Sequence, residues 1–170
     1  MSRLFSILLV LLLSLATTNV FAQRVLLEEV LSPNQTYAVD LQWNAAEIKR
    51  ALSVMMSGGS TVLPPLLGRV SGVEVRLDTR AYVGQRARLF LVLPILVSGV
   101  DSPSDLELRW EVSGPFLSGA VRPGQSTLIY EGAIDEPVTG MVMDFLLALE
   151  NGGAADAFSL EPVYEIELLP

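Results

Sequence analysis

The 170-residue chain contains no cysteine and no histidine, and Lys49 is its single lysine. Without cysteine there are no structural disulfides, no thiolate-bound zinc, no thiol nucleophile and no lipid attachment at a cleavage-site cysteine. Without histidine, Ser–His–Asp and Cys–His relays and imidazole-ligated metals are excluded. So is any side chain whose ordinary titration falls between about pH 5 and 8. Bases are scarce, 11 against 19 acids, for a formal net charge of −8. That balance argues against binding nucleic acid or anionic lipid through net charge. Beyond the N-terminus no apolar run is long enough to span a membrane. Apolar residues as a class are not scarce: at 51% they exclude a disordered chain.

The N-terminal run has the grammar of a removable export leader. Met1-Ser2-Arg3 is a short positive start, Leu4–Leu15 is apolar apart from Ser6 and Ser14, and Val20-Phe21-Ala22 places small residues at the −3 and −1 positions. Cleavage is expected before Gln23, so that residues 1–22 form the signal peptide. The apolar core is about a dozen residues, short of the roughly 20 needed to span a bilayer. No later segment reads as a membrane span. Loss of Arg3 takes the formal charge from −8 to −9. Residues 23–170 are expected to form a single domain large enough to dispense with disulfides. Export of a cysteine-free chain points to a bacterial periplasm, with the extracellular space as the alternative.

Along the mature chain, Arg24–Leu31 is apolar around a Glu28-Glu29 break and ends at the turn Ser32-Pro33-Asn34. Thr36–Trp43 alternates with a period of two and reads as a strand. Asn44 with Glu47 three residues on marks a helix start, and Gly58-Gly59 marks its end. A helix is therefore expected over residues 45–57, with Ile48, Leu52 and Met55 near one face. Thr61–Gly72, with Pro64-Pro65 and two glycines, reads as a connector whose Leu63, Leu66 and Leu67 strap down over the core. Val73, Val75 and Leu77 then alternate with Glu74, Arg76 and Asp78, before a turn at Gly84-Gln85.

Arg86–Val97 reads as a long strand, polar-faced at its start, with Pro94 implying a bulge or an edge. Leu106–Val112 is the clearest alternation in the chain. Arg122-Pro123-Gly124-Gln125 has Pro and Gly placed as a type II turn prefers. Thr127–Tyr130, Gly140–Leu149 and Tyr164–Leu168 complete the strands. Seven or eight short strands at turn spacing, with one early helix, define a mainly β chain folded as an antiparallel β-sandwich. A partly closed barrel is the second choice. This strand–turn grammar resembles exported immunoglobulin-like modules, a resemblance of architecture that implies no activity.

Chemistry-bearing patterns are few. Lys49 and Ser53 share a helical face, but Ala46 stands where a Ser-x-x-Lys motif needs serine. Glu107 and Glu111 share a strand face with Arg109 between them, the pattern of a solvated, ion-paired face rather than a hydrolase's facing carboxylates. Asp101–Asp105 offers alternating oxygens, but Leu106 and Val112 occupy the glycine and closing-glutamate positions of a calcium loop. No catalytic residue, metal site or cofactor is implied.

Arg69, Arg76, Arg80, Arg86 and Arg88 crowd into twenty residues. Arg76 facing Arg86 or Arg88 across adjacent strands would make a small cationic patch able to receive a partner's carboxylate. The alternative is that they pair with Glu74, Asp78 and nearby acids. The expected role is that of a non-enzymatic envelope protein working through protein contacts. Its candidate partner-binding residues are Arg76, Arg80, Arg86 and Arg88, together with Leu63, Leu66 and Leu67. The second reading is a small-ligand or glycan-binding module using Tyr82, Phe116 or Tyr130, since Trp43 and Trp110 lie on apolar strand faces. A carboxylate hydrolase ranks last. No pattern sets the oligomeric state.

Overall fold

The computed structural model describes residues 23–30, 42–59, 64–95, 98–100, 102–150 and 154–170. The leader, most of the Thr36–Trp43 segment, Leu63 and Asp101 lie outside the described residues. Among the described residues the chain is mainly β, with one α-helix. One antiparallel sheet has the order β1-β11-β4-β8: β1 (Arg24–Leu27), β11 (Val163–Leu168), β4 (Arg86–Val92) and β8 (Ser126–Ala133). The other has the order β2-β3-β9-β6-β7: β2 (Gln42–Trp43), β3 (Leu66–Asp78), β9 (Val138–Leu149), β6 (Leu106–Val112) and β7 (Gly119–Val121).

Alternation explains which face each strand buries, since successive side chains point to opposite sides of a pleated strand. Val75 and Leu77 of β3, Ala87, Leu89 and Leu91 of β4, and Leu106, Leu108 and Trp110 of β6 point inward. They meet Ile129, Met141, Met143, Tyr164 and Ile166 in one apolar cluster drawn from both sheets. That shared core makes the architecture a β-sandwich.

Two of the connections that cross between sheets at one end pair with each other. β5 (Ser98–Val100), between β4 and β6, is antiparallel to β10 (Ala154–Ser159), between β9 and β11. Both long sides of the sandwich are stitched as well. After β1, the chain passes to the opposite sheet: Asp78 N–H donates to the Glu28 carbonyl (2.9 Å) and Val30 N–H to the Arg76 carbonyl (2.7 Å). On the far side Leu117 N–H donates to the Ile129 carbonyl (2.8 Å), and the Thr127 hydroxyl to the Ala120 carbonyl (2.7 Å). Isolated bonds rather than continuous ladders make these seams, so the two sheets remain separate and the chain is a sandwich, not a barrel.

The helix, α1 (Ala45–Met56), begins as expected. Asn44 Oδ1 accepts from the Ala46 and Glu47 N–H groups. It ends in a Schellman motif: Gly58 has φ +80°, its N–H reaches the Met55 carbonyl, and Gly59 N–H reaches that of Val54. The type II turn at Arg122–Gln125 also forms, with Gly124 at φ +78° and Gln125 N–H on the Arg122 carbonyl (3.0 Å).

Three expectations need correction. Leu66–Gly72 is not connector but the first half of β3, ladder-paired to β9 from Leu66↔Leu149 onward. The second glycine sits in a bulge: Ser71 and Gly72 oppose Asp144, and at φ +72° Gly72 donates its N–H to Asp144 Oδ1 (2.7 Å). Leu66 and Leu67 are accordingly half-buried strand residues, not a strap.

The Arg86–Val97 strand stops at Val92, before Pro94, and it is an interior strand between β11 and β8. Its irregularity lies instead between Leu89 and Phe90, opposite β8. Finally, β3 and β4, adjacent in sequence, belong to different sheets. Arg76 therefore does not face Arg86 or Arg88 across a ladder, and the expected arginine patch does not assemble.

Candidate functional site

Many of the described charged side chains pair with one another. On the outer face of the first sheet Arg24, Glu167, Arg88 and Glu131 stand in register across all four strands. Arg24 Nε lies 3.3 Å from Glu167, Arg88 Nη1 3.6 Å from Glu167, and Arg88 Nε 2.6 Å from Glu131. Alternating signs across neighbouring strands stabilise the pairing modestly and keep the face wet. Arg76 lies 4.0 Å from Glu74 and Arg80 3.4 Å from Asp78. Those two arginines pair within their own segments, as the alternative reading expected. Arg86 begins β4, its carbonyl accepting from Leu169 N–H (2.9 Å), and Arg69 stands on β3 in register with Leu146.

On the second sheet, Glu107 is clamped between two guanidinium groups. Arg109 Nε donates to Glu107 Oε1, and Arg122 Nη2 lies 3.2 Å from Glu107 Oε2. The Arg109 hydrogen bond is the chief cause holding the Glu107 carboxyl below its ordinary range. Its folded-state value is depressed, so its stabilising contribution is present above the ordinary carboxylate range and is lost as pH falls through the folded value. Carbon-detected NMR titration should show Glu107 protonating at lower pH than an unpaired glutamate, and Arg109→Ala should move it back up. Glu29 is the opposite case. Partial burial raises its carboxyl, which favours the protonated form and weighs against the fold at neutral pH. That burden eases as pH falls through the raised value.

Glu107 and Glu111 do not face each other across a cleft, and among the described residues no group of acids is arranged to hold a metal ion. The aromatics considered for a glycan are also engaged. Trp110 is buried and its Nε1–H donates to the Leu117 carbonyl (2.9 Å). Phe116 packs on Tyr130 with ring centroids 5.5 Å apart, and the Tyr130 hydroxyl donates to the Ala133 carbonyl (2.6 Å). Tyr82 is half-buried against the core. The Trp43 side chain lies outside the described residues. No described helix is long and apolar enough to cross a membrane.

What stands out is α1. Its stripe of Ala45, Ala51, Ile48, Leu52, Met55 and Met56 has the 3.6-residue period of a helix that packs on something. Only Ala51 is buried; Leu52 is 49% exposed, Met55 43% and Met56 89%. Among the described residues α1 makes no extensive contact with either sheet. An isolated helix of about 12 residues is marginal in water, and α1 leaves Leu52, Met55 and Met56 of its stripe open to solvent. The sequence shows the stripe. That Leu52, Met55 and Met56 stay exposed is visible only in the fold.

Comparison with protein-family models, curated proteins and solved structures finds no match.

Proposed function

We propose that the chain is an exported envelope protein without catalytic activity, working through contact with another protein, and that α1 is its docking element. The exposed stripe of Leu52, Met55 and Met56, beside a core already filled from both sheets, is the observation that carries this reading. Full burial of such side chains contributes up to about 1.5–3 kcal/mol each, so three of them suffice to anchor a partner. Docking by simple strand addition is less favoured, because the seams at β1–β3 and β7–β8 already engage the strands flanking them. The leader supports export and, with a cysteine-free composition, a periplasmic location.

The test is a crosslinking pull-down of the tagged mature chain from envelope fractions. One partner recovered in stoichiometric amount, with crosslinks from Lys49 in α1, is the expected result. Recovery of the monomer alone removes the docking reading and leaves the small-ligand module as the reading to screen.

A further inference from the structure

β1 holds an unusual post. It sits at the start of the described chain and pairs with the last strand, Arg24↔Glu167 through Leu27↔Tyr164. The residues just after it bond to β3 of the other sheet. It thereby bridges both sheets while giving the core one side chain, Leu27, which is 7% exposed. Leu26 is 62% exposed, and Val25 and Val30 are also open to solvent. Arg24 holds its outer end: the guanidinium lies 3.6 Å from the Phe90 ring centroid, donates to Ser126 Oγ (2.8 Å) and contacts Glu165 and Glu167.

We propose that β1 is a detachable latch, and that the slot it occupies between β11 and β3 is a binding site for an extended peptide of β1's own chemistry. Three features define the ligand. The backbone edge of β11 and the Arg76–Asp78 stretch of β3 require an extended strand. The well under Leu27 requires a large apolar side chain. Three positions toward its N-terminus, the Glu167 carboxylate, the Phe90 ring and the Ser126 hydroxyl require a guanidinium or ammonium. Opening is favoured locally because β1 brings few buried apolar contacts, the condition for sub-global unfolding. The site is separate from α1 and stands whether or not the helix docks.

The experiment uses the mature chain and a fluorescent peptide of residues 23–30. Tethered β1 competes at an effective concentration on the order of millimolar, so half-saturation is expected at or above about 1 mM. Because the chain has no cysteine, Leu26→Cys with Glu165→Cys gives a clean lock. The two positions are in register, at a separation a disulfide spans.

The reduced pair should bind the peptide saturably and the oxidised pair should not, and an Arg24→Glu peptide should bind at least about tenfold more weakly. Equal binding by both forms, no binding by either, or indifference to Arg24→Glu overturns the proposal. Hydrogen exchange on the unsubstituted chain is the second readout. The Val30 and Asp78 amides, which bond across this seam, should exchange at least about tenfold faster than those in the β4–β8 ladder. Exchange of both sets only through global unfolding also overturns it.

Discussion

Trp110→Ala is expected to lower stability by about 3–5 kcal/mol, a large part of the roughly 5–15 kcal/mol that holds a domain of this size together. Trp110 is 2% exposed at the centre of β6, its flanking strand residues paired to β9 and β7. Its ring is enclosed tightly enough that a Cβ added to Gly119 would meet Cζ2 at 2.9 Å. Removing the indole therefore leaves a cavity that the neighbouring strands cannot fully close, and it strips the Leu117 carbonyl of its donor. Trp110→Phe separates the two effects. It keeps much of the volume but loses the hydrogen bond, so a smaller cost of about 1–3 kcal/mol is expected. Urea unfolding followed by circular dichroism measures both. A cost below about 1 kcal/mol for the alanine variant would show that Trp110 is not a core residue.

The second large effect concerns recognition and not stability. Leu52→Glu combined with Met55→Glu should leave the thermal midpoint within about 2 °C, because side-chain changes at exposed positions outside the core usually shift stability by no more than about 0.5 kcal/mol, and the cap at Met55 uses its backbone carbonyl. Glutamate is also a good helix former, and Leu52→Glu places an acid three residues from Lys49. The same pair should reduce recovery of the docked partner at least about 100-fold. Two buried apolar anchors at about 1.5 kcal/mol each already reach that factor, before any penalty for burying a carboxylate. Unchanged recovery with an intact fold would move the docking surface off α1. Loss of the fold would show instead that the stripe packs within the chain.

Much of this architecture is legible from residues alone, for reasons that are local. Wherever one face of a strand meets the core and the other meets water, the period of two is visible. It is so in Val73–Asp78, Leu106–Val112 and Tyr164–Leu168, all of which are strands with the expected inward faces, the exposed Leu168 at its strand's end excepted. The caps of α1 and the Arg122–Gln125 turn are equally local, set by Asn44, Gly58 and Gly124.

What is not legible depends on partners far away in the chain. Arg24–Leu27 has no alternation; it is a strand because β11, about 140 residues on, offers it an edge. Leu66–Gly72 looks like a connector because prolines precede it and glycines interrupt it, yet the β9 ladder carries it through a bulge. The arginine patch failed for a similar reason. Spacing along the chain cannot tell whether successive strands share a sheet, and β3 and β4 do not. Leu66 and Leu67 followed their strand into the sheet. The surface that remains, α1, lay outside the expected binding residues because an amphipathic stripe looks the same whether a sheet covers it or not.

Site-specific photo-crosslinking in the living cell tests the central claim most directly. A photoreactive residue is placed in turn at Leu52, Met55 and Met56 of α1, and at Glu111 and Glu131 on the outer sheet faces. Discrete adducts of one size from the helix positions, with none from the sheet positions, is the predicted result. Adducts from Glu111 or Glu131 while the helix stays silent would contradict the account, as would no adduct from any of the five.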